Sequence, residues 1–84
     1  MSYSIRIKGS AAKALRRLPA KHRRRLVEAI DRLTDEPAAG GVLKGEFEGL
    51  RRLRVGRYRV AYEILQDRLT ILVVRIAHRK DAYR

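Results

Sequence analysis

The fold of this chain is decided by residues 50–62, LRRLRVGRYRVAY. Apolar and charged residues alternate on both sides of Gly56-Arg57, as they do in two half-buried strands joined by a two-residue turn. Glycine supplies the positive φ that such a turn requires. We therefore predict a tight hairpin in which Val55 pairs with Tyr58, with one apolar face and one arginine face.

The predicted register counts outward from that turn. It sets Arg54 opposite Arg59 and Arg52 opposite Ala61, so that three arginines share one face. Like charges opposite one another on a sheet cost a few tenths to about 1 kcal/mol. A bound phosphate would relieve this repulsion, whereas the alternative interpretation is a solvated face of a very basic protein.

The other elements are predicted from apolar periodicity and from residues that break helices and strands. In chain order they are a strand over residues 3–8, a helix over 11–18 with Ser10 as its N-cap, a helix over 20–35, a turn-rich connector over 36–41, an irregular stretch over 42–49 and a last strand over 69–77. Each helix has one apolar stripe, which an apolar sheet must cover. The predicted fold is therefore α+β, in the order β-α-α-β-β-β.

The last strand is a nearly continuous apolar run, which indicates an internal strand buried on both faces. Residues 66–68 precede it as a turn. If they form a three-residue hairpin loop, Leu65 pairs with Leu69 and Arg75 lies opposite Arg59. The arginine face would then extend over three strands.

Length and composition indicate a single small domain, residues 1–84. The absence of cysteine excludes disulfides and cysteine-based zinc sites, and two histidines alone make no convincing metal site. The sequence contains no signal peptide and no apolar run of the roughly 20 residues that span a bilayer. We expect a cytoplasmic protein that uses no membrane, metal or cofactor.

The chain is strongly basic, with 21 Lys and Arg against 9 acidic residues and a formal net charge of +12. Such a charge indicates a nucleic acid, an anionic membrane surface or an acidic protein as the partner. Arginine greatly outnumbers lysine, and its planar guanidinium makes bidentate contacts with phosphate and stacks on bases. A GC-rich genome would also raise the arginine content, so we give this bias little weight.

Three pieces of the sequence together form a pattern. They are Leu43-Lys44-Gly45, then Leu50-x-x-Leu53-Arg54-Val55-Gly56-x-Tyr58-Arg59-Val60-x-Tyr62, and finally Ile71-x-Val73-Val74-x-Ile76-x-His78-Arg79-x-x-x-Tyr83. Over essentially the whole chain, this pattern resembles the RelE/ParE toxin superfamily of bacterial and archaeal toxin–antitoxin modules. The resemblance implies the RelE-like fold, a helical hairpin packed on a mostly antiparallel sheet, with the active surface on its basic side.

The resemblance leaves two activities open. The RelE branch contains ribosome-dependent endoribonucleases that cut mRNA in the A site, whereas the ParE branch inhibits DNA gyrase. The sheet arginines and the His-Arg-x-x-x-Tyr tail favour the RelE branch, which implies an mRNA interferase. The alternatives are a ParE-type gyrase inhibitor without catalytic activity and a plain nucleic-acid-binding module.

The resemblance also implies roles for single residues. Arg52 and Arg59 match the family's sheet cations, although the best-known member has lysine where Arg52 stands. Arg79 matches the arginine after the last strand and Tyr83 the terminal tyrosine, with a shorter stretch between them than in that member. The candidate catalytic residues are Arg52, Arg59, His78, Arg79 and Tyr83, and the candidate substrate-binding residues are Lys44, Arg54, Arg75 and Lys80.

Metal-independent RNA cleavage by the 2′-OH needs a base for the 2′ proton, cations for the charge on the phosphorane and an acid for the 5′ oxygen. Guanidinium stays protonated, so Arg52 can hold a phosphate but cannot move a proton. Histidine titrates near neutral pH, whereas tyrosine needs neighbouring cations to lower its pKa. Tyr83 and His78 are therefore rival candidates for proton transfer, and the resemblance favours Tyr83.

The resemblance implies two partners. One is a RelB-like antitoxin, bound in a toxin–antitoxin hetero-oligomer, which would present an acidic, amphipathic helix to this basic chain. The other is mRNA on the ribosome, in the A site and with contacts to 16S rRNA. An adjacent short reading frame of acidic or mixed charge is expected to encode the antitoxin.

Overall fold

The computed structural model describes residues 3–42 and 49–78. The helices and strands in chain order are β1 (Ser4–Ile7), α1 (Gly9–Arg16), α2 (Ala20–Arg32), β2 (Gly41–Val42), β3 (Arg51–Val55), β4 (Tyr58–Leu65) and β5 (Thr70–His78). Short 3-10 turns at Pro37–Ala39 and Gln66–Arg68 lead from α2 to β2 and from β4 to β5. Within the described residues, neither helix is long and apolar enough to cross a membrane.

The five strands form one sheet in the order β1-β5-β4-β3-β2. β1 runs parallel to β5, and the other neighbouring pairs are antiparallel. α1 and α2 share one hydrophobic core with the sheet. The predicted α+β fold, a helical hairpin packed on a mostly antiparallel sheet, is confirmed.

Several element boundaries differ from the prediction, most of them by one or two residues. The predicted connector ends in the two-residue strand β2, so the sheet has one strand more than expected; so short a strand has no periodicity to detect. α1 begins at Gly9, which places Ser10 inside the helix, and Lys8 at the N-cap position makes no side-chain cap. α2 ends at Arg32, three residues before the predicted end at Asp35.

One hydrophobic core fills the space between the helices and the sheet. α1 contributes Ala11 and Leu15, and α2 contributes Leu26 and Ile30, at the spacing that places side chains on one face of a helix. β4 and β5 contribute Val60, Tyr62, Ile71, Val73 and Ile76. Full burial of a large apolar side chain contributes about 1.5–3 kcal/mol, so these residues fix which face of the sheet meets the helices.

The β3–β4 hairpin has the predicted register. Val55 pairs with Tyr58 and Leu53 with Val60, on either side of a turn in which Gly56 has a φ of 58°. Glycine adopts this left-handed conformation without strain. The hairpin therefore turns its apolar side chains toward the helices, and Arg52, Arg54 and Arg59 toward the other face.

The Tyr62 hydroxyl ties the segment after α2 to the middle of the sheet. It donates a hydrogen bond to the carbonyl of Pro37 (2.7 Å) and accepts one from the N–H of Gly40 (2.9 Å). Arg51 Nη1 donates to the carbonyl of Gly40 (2.9 Å). Burial raises the pKa of Tyr62, against smaller lowering effects of the Gly40 hydrogen bond and the Arg51 charge. The phenol therefore stays protonated where it makes these two hydrogen bonds.

The adjacent residues Gly40 and Gly41 give a matched test of the packing around the Tyr62 hydroxyl. A Cβ at Gly40 would lie 2.6 Å from the Arg52 carbonyl oxygen and 2.8 Å from the Tyr62 hydroxyl, whereas one at Gly41 would meet nothing within 4 Å. We expect Gly40→Ala to lower the unfolding free energy by about 1–3 kcal/mol, because backbone must move. Gly41→Ala should stay within about 0.5 kcal/mol of the wild type in urea unfolding. Equal effects of the two substitutions would contradict the close packing at Gly40.

The raised pKa of Tyr62 predicts a pH dependence of stability. The folded chain keeps the phenol proton to a higher pH than the unfolded chain does, so the unfolding free energy falls as pH rises above the ordinary tyrosine pKa of about 10. In the Tyr62→Phe variant, the unfolding free energy should fall less with rising pH, because the contribution of the Tyr62 phenol is missing. The other titrating groups act equally in both proteins. Urea unfolding between about pH 9 and 11 tests this, and parallel pH profiles for the two proteins would refute it.

Candidate functional site

Arg6 of β1 lies on the face of the sheet that points away from the helices, beside Leu72 of β5. Four further arginines form a group on the same face. They are Arg52 and Arg54 of β3, Arg59 of β4 and Arg75 of β5, and we call this surface the arginine face. Arg54 pairs with Arg59, as predicted, one step from the hairpin turn. Guanidinium groups from the β3–β4 hairpin and from β5 therefore lie on one side of the sheet.

Small residues lie between these arginines. Ala61 stands between Arg52 and Arg75 in one row across three strands, and Ala77 stands beside Arg59 in the next row. Ala61 is only 2% exposed although it faces away from the helices, so neighbouring side chains cover it. The aliphatic stems of arginine readily cover apolar surface while the charged head stays in water. Alanines at these positions thus leave room for the stems of the neighbouring arginines.

Arg75 reaches this face at a different position from the predicted one. It pairs with Ala61, whereas Arg59 pairs with Ala77. The prediction that Arg75 lies opposite Arg59 is wrong by two residues along β5. Arg75 is instead level with Arg52, on the other side of Ala61.

One residue of this shift comes from the loop between β4 and β5. Leu65 pairs with Thr70 rather than with Leu69. Leu69 has a left-handed conformation with a φ of 48°, after the 3-10 turn. The loop therefore holds one residue more than predicted.

The second residue of the shift comes from a bulge in β5 at Val74. Tyr62 pairs with Val73, but the preceding residue of β4, Ala61, pairs with Arg75. Because side chains alternate along a strand, one extra residue reverses the face of every residue beyond it. Without the bulge, the Arg75 side chain would point into the core.

His78 lies on the opposite side of the sheet from the arginine face. It pairs with Tyr58 at the end of β5, and the two ring centroids are 5.4 Å apart at an interplanar angle of 84°. Tyr58 also contacts His22 of α2, with centroids 5.4 Å apart. The structure thus brings Arg52, Arg54, Arg59 and Arg75 together and places the His78 ring among aromatic residues on the helix side.

Arg51 also lies on this hairpin, but it makes a structural hydrogen bond on the helix side and is not part of the arginine face. It pairs with Tyr62 and donates to the Gly40 carbonyl on the helix side. Counting outward from the turn already places Arg51 opposite Tyr62, so the sequence contained the signal for its orientation. The hydrogen bond to Gly40 depends on the path of the chain after α2 and carried no such signal.

The arginine face is suited to binding anions. Guanidinium groups keep their charge at every physiological pH and bind phosphate oxygens in a bidentate manner. They cannot accept a proton, so this face by itself can bind and stabilise negative charge but cannot act as a base. The other predicted site residues, Lys44, Arg79, Lys80 and Tyr83, lie outside the described residues.

Comparison with known proteins identifies the family. Residues 5–83 match the family described as the ParE toxin of type II toxin–antitoxin systems, parDE. The toxin RelG of Mycobacterium tuberculosis is 35% identical over 86 residues, which cover 100% of this chain and 99% of RelG. This similarity extends over the arginine face and both helices.

Solved structures agree with the sequence match. The toxin–antitoxin complex RelBE2 from Mycobacterium tuberculosis contains a chain with a TM-score of 0.87 and 31% identity, over 94% of this chain and 100% of that one. The archaeal RelE–RelB complex from Pyrococcus horikoshii contains one with a TM-score of 0.79 and 35% identity, over 98% and 100%. The chain therefore belongs to the RelE/ParE superfamily, the toxins of type II toxin–antitoxin modules.

Proposed function

We propose that this toxin is a ribosome-dependent endoribonuclease that cleaves mRNA in the A site, in the cytoplasm. The arginine face is the observation that carries the proposal, because four guanidinium groups on one side of a sheet form a surface for a phosphodiester backbone. The relatives named toxin RelG and toxin RelE support the RelE branch. Contacts with 16S rRNA would draw on the same high positive charge.

In the proposed reaction, the 2′-OH attacks the adjacent phosphorus and the bond to the 5′ oxygen breaks. Arg59, together with Arg54 or Arg52, stabilises the negative charge that develops on the phosphorane. Arg59 is half-buried, and electrostatic stabilisation is stronger where water is partly excluded. Arg75, one row away, holds a neighbouring phosphate, and Lys44 and Lys80 are further candidates for backbone contacts.

Proton transfer requires a group other than the arginines. We assign it to Tyr83, with Arg79 at the leaving 5′ oxygen. His78 remains the rival candidate for proton transfer. Its ring packs against Tyr58 on the helix side of the sheet, so the His78 side chain would have to reorient at the end of β5 to reach an RNA on the arginine face. Separate substitution of His78 and Tyr83 distinguishes the two.

The proposed protein partner is a RelB-like antitoxin in a toxin–antitoxin hetero-oligomer. Two solved relatives with at least 30% identity come from a RelE–RelB complex and from the complex RelBE2. A formal charge of +12 favours an acidic partner. An antitoxin that covers the arginine face would block RNA and remove the repulsion among its arginines at once.

A second candidate function is inhibition of DNA gyrase. The family that matches residues 5–83 is described by the ParE toxin, which is the observation that favours it. Such an inhibitor would act by binding alone. Its toxicity would then not depend on a proton-transferring tyrosine.

The decisive experiment is 5′-end mapping of cellular mRNA after brief induction of the toxin. Wild type should produce cuts at fixed positions within translated codons. Arg59→Ala combined with Tyr83→Phe should abolish them, because removing one group that stabilises a transition-state anion already costs about 10²–10³ in rate. Arg68→Ala is the matched control, since Arg68 is an exposed arginine of the β4–β5 turn, 3.9 Å from Asp67. It should cut like wild type. Growth arrest with intact mRNA would instead indicate gyrase inhibition.

Salt dependence of RNA binding tests the arginine face separately from cleavage. Arg52→Ala and Arg75→Ala should each reduce the slope of log K against log salt concentration by roughly 0.7, the value for one phosphate contact with a single strand. Fluorescence anisotropy with a short single-stranded RNA at several KCl concentrations measures this slope. Arg68→Ala carries the same charge change and should keep the wild-type slope. If all three variants behave alike, binding reflects net charge and not this face.

A further inference from the structure

A second cationic site lies at the hairpin turn, on the side of the sheet that carries the helices. It is a cavity of about 250 Å³, which we call the hairpin pocket. The lining residues are His22, Arg25, Val55, Gly56, Arg57 and Tyr58. They come from α2 and from the turn between β3 and β4, so the hairpin pocket is distinct from the arginine face.

Two half-buried rings form one wall of the hairpin pocket. His22 and Tyr58 lie with centroids 5.4 Å apart at an interplanar angle of 54°. The His78 ring also packs against Tyr58, with centroids 5.4 Å apart. Exposed parts of such rings, next to the apolar Val55 side chain, offer a surface on which a flat, unsaturated ring can stack.

Two exposed arginines form the rim. Arg57 projects from the turn, and Arg25 projects from α2. Arg25 lies close to the turn backbone, since a Cβ on Gly56 would be 3.7 Å from its Nη1. Among the described residues, no carboxylate lines the cavity. The site thus combines an aromatic wall with a rim that attracts an anion.

We propose that the hairpin pocket binds one nucleotide of RNA, with its base against His22 and Tyr58 and its phosphate at Arg25 and Arg57. The inference rests on the proposed function, because it extends the RNA path from the arginine face. Arg54 and Arg59 are the arginine-face pair nearest to the turn, so a strand bound by its backbone on that face reaches the hairpin pocket by passing over Gly56-Arg57.

The chemistry of the hairpin pocket favours a nucleotide over its parts. A base gains stacking with aromatic rings but leaves the rim arginines without an anion. A phosphate alone pairs with the arginines but leaves the aromatic wall uncovered. Only a ligand that has both groups uses the whole site.

The test is an NMR titration of the purified full chain with AMP, adenosine and inorganic phosphate. AMP should shift the ring resonances of His22 and Tyr58 in a saturable way, and adenosine or phosphate should do so at least about tenfold more weakly, because each lacks one of the two contacts. A short single-stranded RNA should move the same two rings. Equal affinity for phosphate and AMP, or RNA shifts confined to the arginine face, would overturn the proposal.

Substitutions then separate this site from general attraction. Arg25→Ala removes an exposed side chain and should weaken AMP binding by about tenfold. Arg24→Ala, at the neighbouring exposed position of α2 outside the pocket lining, is the matched control. Equal weakening by both variants would refute the site. Cleavage reports on the proposed function and AMP shifts report on the hairpin pocket, so each can fail while the other holds.

Discussion

The central strand β4 is the constraint on which the rest of this structure depends. It pairs along both edges, with β3 and with β5, and its side chains alternate strictly between two environments. Val60 and Tyr62 are fully buried against the helices, which forces Arg59 and Ala61 to the other face. The core and the arginine face are therefore two consequences of one register, and a slip of one residue would destroy both.

β5 satisfies the same constraint only because of its bulge. Ile71 and Val73, at odd-numbered positions, point into the core, and Ile76, at an even-numbered position, points into it as well. Regular alternation would not allow this, but the extra residue at Val74 shifts the alternation by one residue and turns Arg75 to the arginine face. A bulge of this kind is as much a part of the candidate site as the arginine that it orients.

Sequence was a good guide where structure is local. A Gly-x turn between alternating residues determines the pairings of Arg54 with Arg59 and of Arg52 with Ala61, so three of the four residues of the arginine face could be predicted. The position of Arg75 depends on a left-handed Leu69 and on the bulge, and neither has a residue signature that stands out from the apolar run. The contacts of His22 and His78 with Tyr58 depend on how α2 docks on the sheet, which no local pattern encodes.

The short strand β2 has a consequence for the behaviour of the free toxin. It pairs with Arg51 and Arg52 only, so among the described residues the outer edge of β3 beyond Arg52 lacks a strand neighbour. Exposed edges invite edge-to-edge pairing between copies, and charged side chains are a common protection against it. Here two copies would have to bring their own Arg54 side chains together. The positive charge of the arginine face thus also disfavours edge-to-edge pairing of this sheet with a second copy.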